Sequence, residues 1–460
     1  MIQFSGYEKT IKTVYEYAQE QVFLYWNECS EAEKKALLDE LASIDFADIA
    51  SLYRTALKPE AVGLDFTAAP YISRAKDESG KSEWKTAKKE GEAYLRRGKV
   101  AAFVVAGGQG SRLGFDGPKG AFCMSPVKNK PLFQIHAEKI RKYSQKYGYA
   151  VPFFVMTSDI NHEATCSLFE QNGYFGLDKK DVFFFPQNML PSLDAEGKLI
   201  LSGKNSITKN PDGHGGSLTA LRTSGALDAM KKRGIETISY FQIDNPTVNI
   251  IDPVFIGFHL RAKAEVSSKA LIKAYPEEKV GSFVRFSDGN EGVIEYSDLP
   301  KEKMFAKNAD GSLTFAAGSI AIHLFDRDFV ERITSGGDLS LPMHVARKKI
   351  KKFASGELTE IDGFKFEKFV FDALPLAHKS CIIETVREEE FAPIKNATGI
   401  DSLETSRDLM VSLFRAWCAE RGIAVPARVK LLEISPLAAV APEDLDSSLV
   451  IPDQVSVYIG

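Results

Sequence analysis

The chain has 460 residues, 44% of them hydrophobic and 26% charged, with a formal net charge of -4 at pH 7. That length exceeds what one hydrophobic core usually serves, so two or three domains are expected, and the ordinary composition argues for a globular fold. The near-neutral balance offers no global basic field to nucleic acid or to a membrane surface, so an anionic ligand must be met by a local cluster of Lys and Arg.

From the N-terminus, Tyr7 to Trp26 carries apolar residues at helical spacing, and Ser30-Glu31-Ala32-Glu33 reads as a capping box ahead of the stripe Ala36, Leu37, Leu38 and Leu41. A loop rich in Gly, Pro and Ala follows between Leu57 and Tyr71, then a charged helix from about Glu83 to Arg97. At Val100 the texture changes. Val100 to Ala106 is a continuous apolar run, as a strand buried on both faces requires, and Val151 to Met156, Val182 to Phe185 and Ile238 to Ile243 repeat it. Helical patterns at Leu132 to Tyr143 and His162 to Gln171 separate these runs. The alternation predicts an α/β fold with a mostly parallel sheet covered by helices.

Shorter strand-like segments at Ser268 to Ala274, Ser282 to Phe286 and Gly292 to Tyr296 predict an antiparallel insertion walling a ligand pocket. The basic run Lys348, Lys349, Lys351 and Lys352 reads as a solvated helix face rather than a nucleic-acid patch. A helix at Ser402 to Glu420 and short strands with Pro-rich turns complete the chain. The expected organisation is a helical N-terminal region at 1–99, an α/β domain at 100–387 and a small C-terminal α/β region at 388–460.

The cysteines (Cys29, Cys123, Cys166, Cys381 and Cys418) are odd in number and form no CxxC pair, so neither a disulfide framework nor a thiolate zinc site is indicated. No signal sequence opens the chain, and no apolar run approaches the roughly 20 residues of a membrane span. A cytoplasmic location is expected, with no membrane and no nucleic acid among its partners.

Directly after the first buried run comes Ala106-Gly107-Gly108-Gln109-Gly110-Ser111-Arg112-Leu113-Gly114, then Gly117-Pro118-Lys119-Gly120. Glycines at the C-terminal end of a strand let the backbone approach a polyphosphate and aim N–H groups at it. Arg112 adds a planar bidentate donor and Lys119 a mobile point charge, and the two favour a ligand site over a merely structural turn. No Gly-Lys-Ser/Thr closes the loop, so it is not a Walker site, and its glycine spacing runs one residue long for a dinucleotide fingerprint. Asp244 follows the run Ile238 to Ile243, which sets its carboxylate at the sheet edge where open α/β folds bind ligands. A carboxylate there suits Mg²⁺, which takes one or two carboxylates plus substrate phosphates; the alternative is that Asp244 caps a turn.

The run Gly107 to Gly120 resembles the signature of the sugar nucleotidyltransferases, and among them the UDP-sugar pyrophosphorylases, nearest those that make UDP-N-acetylglucosamine. Further segments recur in that family's order: Gln187-Asn-Met-Leu-Pro191, Pro211-Asp-Gly-His-Gly-Gly216, Ile243-Asp-Asn-Pro246 with Asp252-Pro253 and Phe255-Ile-Gly-Phe258, Gly292-Val-Ile-Glu-Tyr296, Glu389-Glu-Phe-Ala-Pro-Ile-Lys-Asn396, and Leu432-Glu-Ile-Ser-Pro436. The resemblance spans roughly Val100 to Pro436. It implies a Rossmann-like nucleotidyltransferase core in which Gly107, Gly108, Gln109, Gly110, Arg112 and Lys119 hold phosphates, Gln187 and Gly213 read the uracil, and Asp244 carries the divalent metal. Glu295 and Tyr296 would hold sugar hydroxyls, Gly281 and Ser319 would line the acyl side, and Lys395 would reach the phosphates from the C-terminal part.

The implied reaction is attack of a sugar-1-phosphate oxygen on the α-phosphorus of UTP, with pyrophosphate leaving. The nucleophile is already an anion, so no general base is needed, and no Ser-His-Asp or Cys-His arrangement is present. The barrier is electrostatic: two like charges about 4 Å apart repel by roughly 4 kcal/mol at an effective dielectric near 20. Arg112, Lys119, Lys395 and Mg²⁺ would neutralise that charge.

Departures from the family pattern bear on the sugar. His214 stands where relatives have Asn, and is expected to touch a phosphate or sugar hydroxyl rather than act as acid or base. Ser319 and Ile322 replace polar amides that contact the sugar and its N-acetyl group in relatives. N-acetylglucosamine 1-phosphate is the expected substrate; glucose 1-phosphate, or a broad sugar range, is the alternative. A nicotinamide or flavin oxidoreductase is disfavoured because no acidic residue ends a second strand about 20 residues on. An inactive nucleotide-binding regulator is disfavoured by the presence of Arg112, Lys119, Asp244 and Lys395.

Overall fold

The computed structural model describes residues 1–57, 65–336 and 341–460. They form two compact units, one of Met1–Leu64, Asn188–Gly216 and Ser340–Phe369, the other of Asp65–Gln187, Ser217–Leu339 and Val370–Gly460. Each unit is thus assembled from segments distant in sequence. Part of the Gly/Pro/Ala loop expected after Leu57, residues 58–64, lies outside the described residues.

The larger unit holds a ten-stranded sheet. Its strands are Phe66–Ala68 (β1), Val100–Val105 (β2), Phe153–Thr157 (β3), Val182–Pro186 (β4), Thr237–Gln242 (β5), Val266–Ile272 (β6), Ser282–Phe286 (β7), Glu291–Ile294 (β8), Ala317–Asp326 (β9) and Ser380–Thr385 (β10). They run in the order β1-β7-β9-β5-β2-β3-β4, with β8 on β7, β6 on β9 and β10 on β6. The half that carries the glycine loop, β5-β2-β3-β4, is parallel throughout. The helices Leu132–Tyr147 and His162–Gln171 make its crossovers. Burial on both faces explains the unbroken apolar runs: Val100 to Val104 and Phe153 to Met156 are sealed from solvent.

The other half is mixed. β7 and β8 pair as the expected antiparallel hairpin. β6 is instead integral to the sheet, antiparallel to β9 and parallel to β10. The late helix starts at Leu403, with Ser402 as its cap and Thr405 completing a capping box, and the parallel strands Leu431–Ile434 and Ser456–Ile459 follow it.

In the smaller unit the helices Glu8–Glu16, Glu31–Ala42 and Phe46–Leu57 pack Ile11, Val14, Leu37, Leu38 and Leu41 against Leu193, Leu199, Phe364 and Phe366. The capping box at Ser30 and Glu33 forms as the sequence predicts. The helix expected over Tyr7 to Trp26 breaks after Glu16, where Ala18 turns left-handed at φ 52°. The buried Gln19 carboxamide then bonds Gly197 O at 3.0 Å and Leu199 N at 2.8 Å, and the chain continues in short 3₁₀ turns. Tertiary hydrogen bonds outweigh helical periodicity here.

The basic run at Lys348 corrects the reading of a helix face. It lies in the strand His344–Ala354, paired with Glu357–Glu367 across a two-residue turn in which Ser355 and Gly356 both have positive φ. That is the turn geometry that matches strand twist. Lys348, Lys349 and Lys351 are exposed while Ile350 is buried, and Lys349 pairs with Asp362 at 2.9 Å.

Candidate functional site

The glycine loop leaves the C-terminal end of β2 and folds back on itself as a narrow hairpin. Gly110 N–H donates to Gly117 O at 2.9 Å and Lys119 N–H to Gly108 O at 3.0 Å. The glycine spacing suits this closure, since Gly114 and Gly117 adopt φ 68° and 150°. The N–H groups of Gly108, Gln109, Ser111 and Arg112 have no partner among the described residues. The loop's own closure therefore uses the N–H of Gly110, while its neighbours stay available to an anion. The Gln109 side-chain oxygen is buried without a hydrogen bond, and Arg112 is exposed on the short turn Ser111–Leu113.

Two residues that the sequence reading missed fix this loop from the end of β3. Asn161, fully buried, donates to Ala106 O at 3.0 Å and Gly108 O at 3.3 Å; Ser158 Oγ donates to Gly107 O at 2.9 Å. They sit after the strand next to β2, at the same sheet edge. Only the strand order could have nominated them. Gln187, at the end of β4, is buried and held by a bond from its N–H to Thr157 O at 2.9 Å. A Cβ added to Gly107 would lie 2.9 Å from Gln187 Oε1, so the Gln187 side chain comes close against this glycine and would have to shift for any larger residue.

Asp244 lies just past β5, which ends at Gln242 rather than at Ile243. It is 7% exposed, and its Oδ2 accepts from Lys119 Nζ at 3.3 Å. The turn after β5 thus meets the glycine loop at one point, with a carboxylate and an ammonium facing each other. Its backbone carbonyl accepts from Ile394 N–H at 2.9 Å, which brings the Lys395 segment alongside. Lys395 and Asn396 both donate backbone N–H bonds to Asp401 O, and the Lys395 ammonium stands 5.5 Å over the Phe391 ring. Burial raises the Asp401 carboxyl; Lys395 opposes that shift and Asp244 adds to it. Asp401 was not anticipated either.

Of the expected sugar residues, Gly281, Ser319, Glu295 and Tyr296 lie around the β7–β8 hairpin. Ser319 N–H, on β9, donates to Gly281 O at 2.8 Å, and a Cβ on Gly281 would lie 3.4 Å from Glu295 Oε1. Glu295 and Tyr296 are not on a strand as predicted. β8 ends at Ile294, and the Glu295 carbonyl accepts the N–H groups of Asp298 and Leu299, which closes a turn. Tyr296 is 38% exposed. Lys273, absent from the sequence-level candidates, is buried just beyond β6 and donates to Ser282 Oγ at 2.6 Å. Burial lowers its pKa, against the pull of Glu278 and Glu295. Ile322 is in the hydrophobic core.

Gly213 and His214 belong to the smaller unit. Gly213 has φ 84° and its Cβ would lie 2.4 Å from Lys368 O, so only glycine fits. His214 stacks on Phe369 at 5.2 Å, and His344 stacks on the same ring at 4.2 Å. Burial pushes the His214 imidazole down to about 4, with Glu367 opposing and His344 reinforcing the shift. It is neutral at physiological pH, which suits hydrogen bonding and does not suit a charge-neutralising role.

Among the described residues no three His, Cys, Asp or Glu side chains gather as a metal cage. The donor set at Asp244, a single hard carboxylate beside the glycine loop, fits an ion that completes its shell with ligand oxygens. No helix among the described residues is long and apolar enough to cross a membrane.

The profile of the family described as UTP--glucose-1-phosphate uridylyltransferase matches residues 58–438. The chain is 34% identical to UDP-N-acetylglucosamine diphosphorylase 2 of Arabidopsis thaliana, over 96% of this chain and 92% of that protein. It is 33% identical to UDP-N-acetylglucosamine pyrophosphorylase of Saccharomyces cerevisiae, over 94% of each. Its fold matches the crystal structure of uridine diphosphate N-acetylglucosamine pyrophosphorylase from Trypanosoma brucei with a TM-score of 0.82, 28% identity, and coverage of 96% of this chain and 95% of that one.

Proposed function

The chain belongs to the UTP--glucose-1-phosphate uridylyltransferase family, and on that premise we propose that it joins UTP to N-acetylglucosamine 1-phosphate, releasing pyrophosphate. The observation that carries the chemistry is the meeting of Lys119 and Asp244 at the lip of the glycine loop, 3.3 Å apart. A polyphosphate laid on the free N–H groups of that loop would place its charge beside both. Asp244 would hold Mg²⁺ together with the phosphates, and the ion would supply neutralising charge.

This chain's own residues do the rest. Backbone N–H groups of Gly108, Gln109, Ser111 and Arg112 bind the phosphates, Lys119 and Arg112 bring positive charge to the leaving pyrophosphate, and Lys395 reaches the reacting phosphates from the segment bonded to Asp244. Gln187 reads the uracil. Glu295, Tyr296, Gly281 and Ser319 hold the sugar, with Glu295 accepting its hydroxyls. No side chain needs to take a proton, because the attacking oxygen is anionic.

Overall identity to relatives that carry the N-acetylglucosamine name supports the choice of sugar. Ser319, in place of an amide, favours glucose 1-phosphate as the second reading. The test is pyrophosphate release with UTP and Mg²⁺ and each sugar 1-phosphate in turn. Selectivity for N-acetylglucosamine 1-phosphate is expected to stay within about a hundredfold, because one unpaired amide is worth roughly 1–3 kcal/mol. A wide preference for glucose 1-phosphate would reverse the choice of sugar and leave uridylyl transfer standing.

A further inference from the structure

The segment Glu389 to Asn396 contributes Lys395 to the chemistry, yet its most buried charge has no place in it. Glu390 is 4% exposed and sits at the end of the short helix Arg387–Glu390. Its Oε1 accepts the Asn249 N–H at 3.0 Å, its Oε2 accepts Thr385 Oγ1 at 2.7 Å, and Lys269 Nζ reaches both oxygens at 2.6 Å. Lys269 is equally buried and bonds Asp252 Oδ2 at 2.6 Å; burial works against its charge, but Asp252 and Glu390 outweigh that and raise its pKa.

The backbone around Glu390 runs beside the turn after β5. Asn245 Nδ2 donates to Glu390 O at 2.7 Å, and Asn245 Oδ1 accepts the Ala392 N–H at 3.1 Å. Ile394 N–H then meets Asp244 O at 2.9 Å. The opposite side of that turn is held by Lys139, whose ammonium donates to Pro246 O at 2.6 Å and Val248 O at 2.7 Å. The residues from Glu390 to Ile394 are therefore bonded stepwise to Asp244, Asn245 and Asn249.

We propose that Glu390 is a positioning residue of the uridylyl transfer: bonded to Asn249 and Lys269, it anchors the backbone that sets Lys395 beside Asp244. The proposal rests on the functional reading above. A strut that served stability alone could be met by an apolar pair of the same volume. Here the carboxylate is spent on the Asn249 N–H of the turn that bears the metal carboxylate, and its own segment bears the phosphate-reaching lysine.

The test uses the full chain as Glu390→Gln, Asn245→Ala, Lys395→Ala and the double variant Glu390→Gln/Lys395→Ala. For each, kcat, the KM for both substrates and the melting temperature are measured, with hydrogen exchange at the Ile394 amide in the ligand-free protein. Glu390→Gln is expected to lower kcat at least thirtyfold with each KM within threefold of the parent. It should add less than threefold to the loss already caused by Lys395→Ala, because it acts through that side chain. Exchange at Ile394 should quicken at least tenfold. If Glu390→Gln does not fold, Asn245→Ala, which leaves no buried charge unpaired, must show the same kcat loss and the same exchange change. Losses that multiply in the double variant, a parental kcat with only a lower melting temperature, or unchanged exchange at Ile394 would each overturn the proposal. Turnover by the parent chain tests the functional reading separately, and the exchange measurement bears on Glu390 in either case.

Discussion

At the scale of single residues, the candidate site sets two opposite charges against each other at the glycine loop. Lys119 and Asp244 are 19% and 10% exposed in their side chains and lie 3.3 Å apart. Replacing Asp244 by Asn keeps the shape and removes the charge, so folding is expected to survive. Turnover should fall at least a hundredfold, in line with ~10²–10³ for one preorganised electrostatic contact. A variant with parental turnover and unchanged magnesium dependence would refute the assignment. The histidines make a different prediction. His136, sealed in the core, is pushed by burial down to about 3, and His214 to about 4. Both are neutral when folded and would protonate near 6.5 when unfolded. The unfolded chain therefore binds more protons below that pH, and stability present above it is lost as pH falls from 6.5 toward 4. By pH 5 the loss should be on the order of 2 kcal/mol per histidine, seen as a lower urea midpoint. A midpoint that stays flat from pH 7 to pH 5 contradicts this.

At the scale of elements, the helices Glu78–Arg96 and Pro253–Ala262 cross at glycine contacts. A Cβ on Gly91 would lie 1.8 Å from Pro253 O, and one on Gly257 would lie 1.9 Å from Ala87 O. The obstacles are backbone carbonyls, which cannot rotate aside. Gly257→Ala should therefore destabilise by about 1–3 kcal/mol through forced separation of the helices, despite a gain of up to ~1 kcal/mol in helix propensity. A melting temperature equal to or above the parent's would show that the crossing has slack. This feature illustrates where sequence reading stops. The parallel strands β2 to β5 and the helix His162–Gln171 were legible because burial on both faces, or on one stripe, leaves a periodic mark. Gly91 and Gly257 leave none, since a glycine's reason lies in what comes close to it. The strand at Lys348 was misread because its alternation is between lysines and a single buried Ile350, and its turn signal, Ser355-Gly356, is short. In the site, Gly107, Arg112, Lys119 and Asp244 were nominated by residue type at the end of a buried strand. Asn161, Lys273 and Asp401 were not, because the first two follow other strand ends and Asp401 sits in the loop before the helix Leu403–Glu420, and only the fold brings them near.

At the scale of the whole molecule, the C-terminal strand pair has to be held to the sheet that bears the site, and a buried charge cluster does much of this. Lys130 Nζ reaches Glu138 Oε2 at 2.6 Å, Tyr458 Oη at 3.0 Å and Ser435 Oγ at 3.4 Å. The Lys130 and Glu138 side chains are 8% and 6% exposed. Glu433 adds a second tie, accepting the N–H groups of Val127 and Lys128 at 2.6 and 2.8 Å. Two opposing effects decide what the pair contributes. Taking both charges out of water costs several kcal/mol per ion, and their mutual attraction repays that only when both are present. Removing one partner leaves the other buried and uncompensated, so Glu138→Gln should cost roughly 3–5 kcal/mol. The double variant Lys130→Met/Glu138→Leu should be much closer to the parent, because neither charge then needs a partner. None of these groups touches the glycine loop, Asp244 or Lys395, so folded protein of either variant should transfer uridylyl groups at nearly the parental rate. Urea titration and turnover together check both halves. A double variant as unstable as Glu138→Gln would mean that the pair stabilises beyond its desolvation cost. A single variant costing under about 1 kcal/mol would place the cluster with exposed salt bridges in energy, and the C-terminal strands would then be held by the packing of their own Leu432, Ile434 and Val457 in the hydrophobic core.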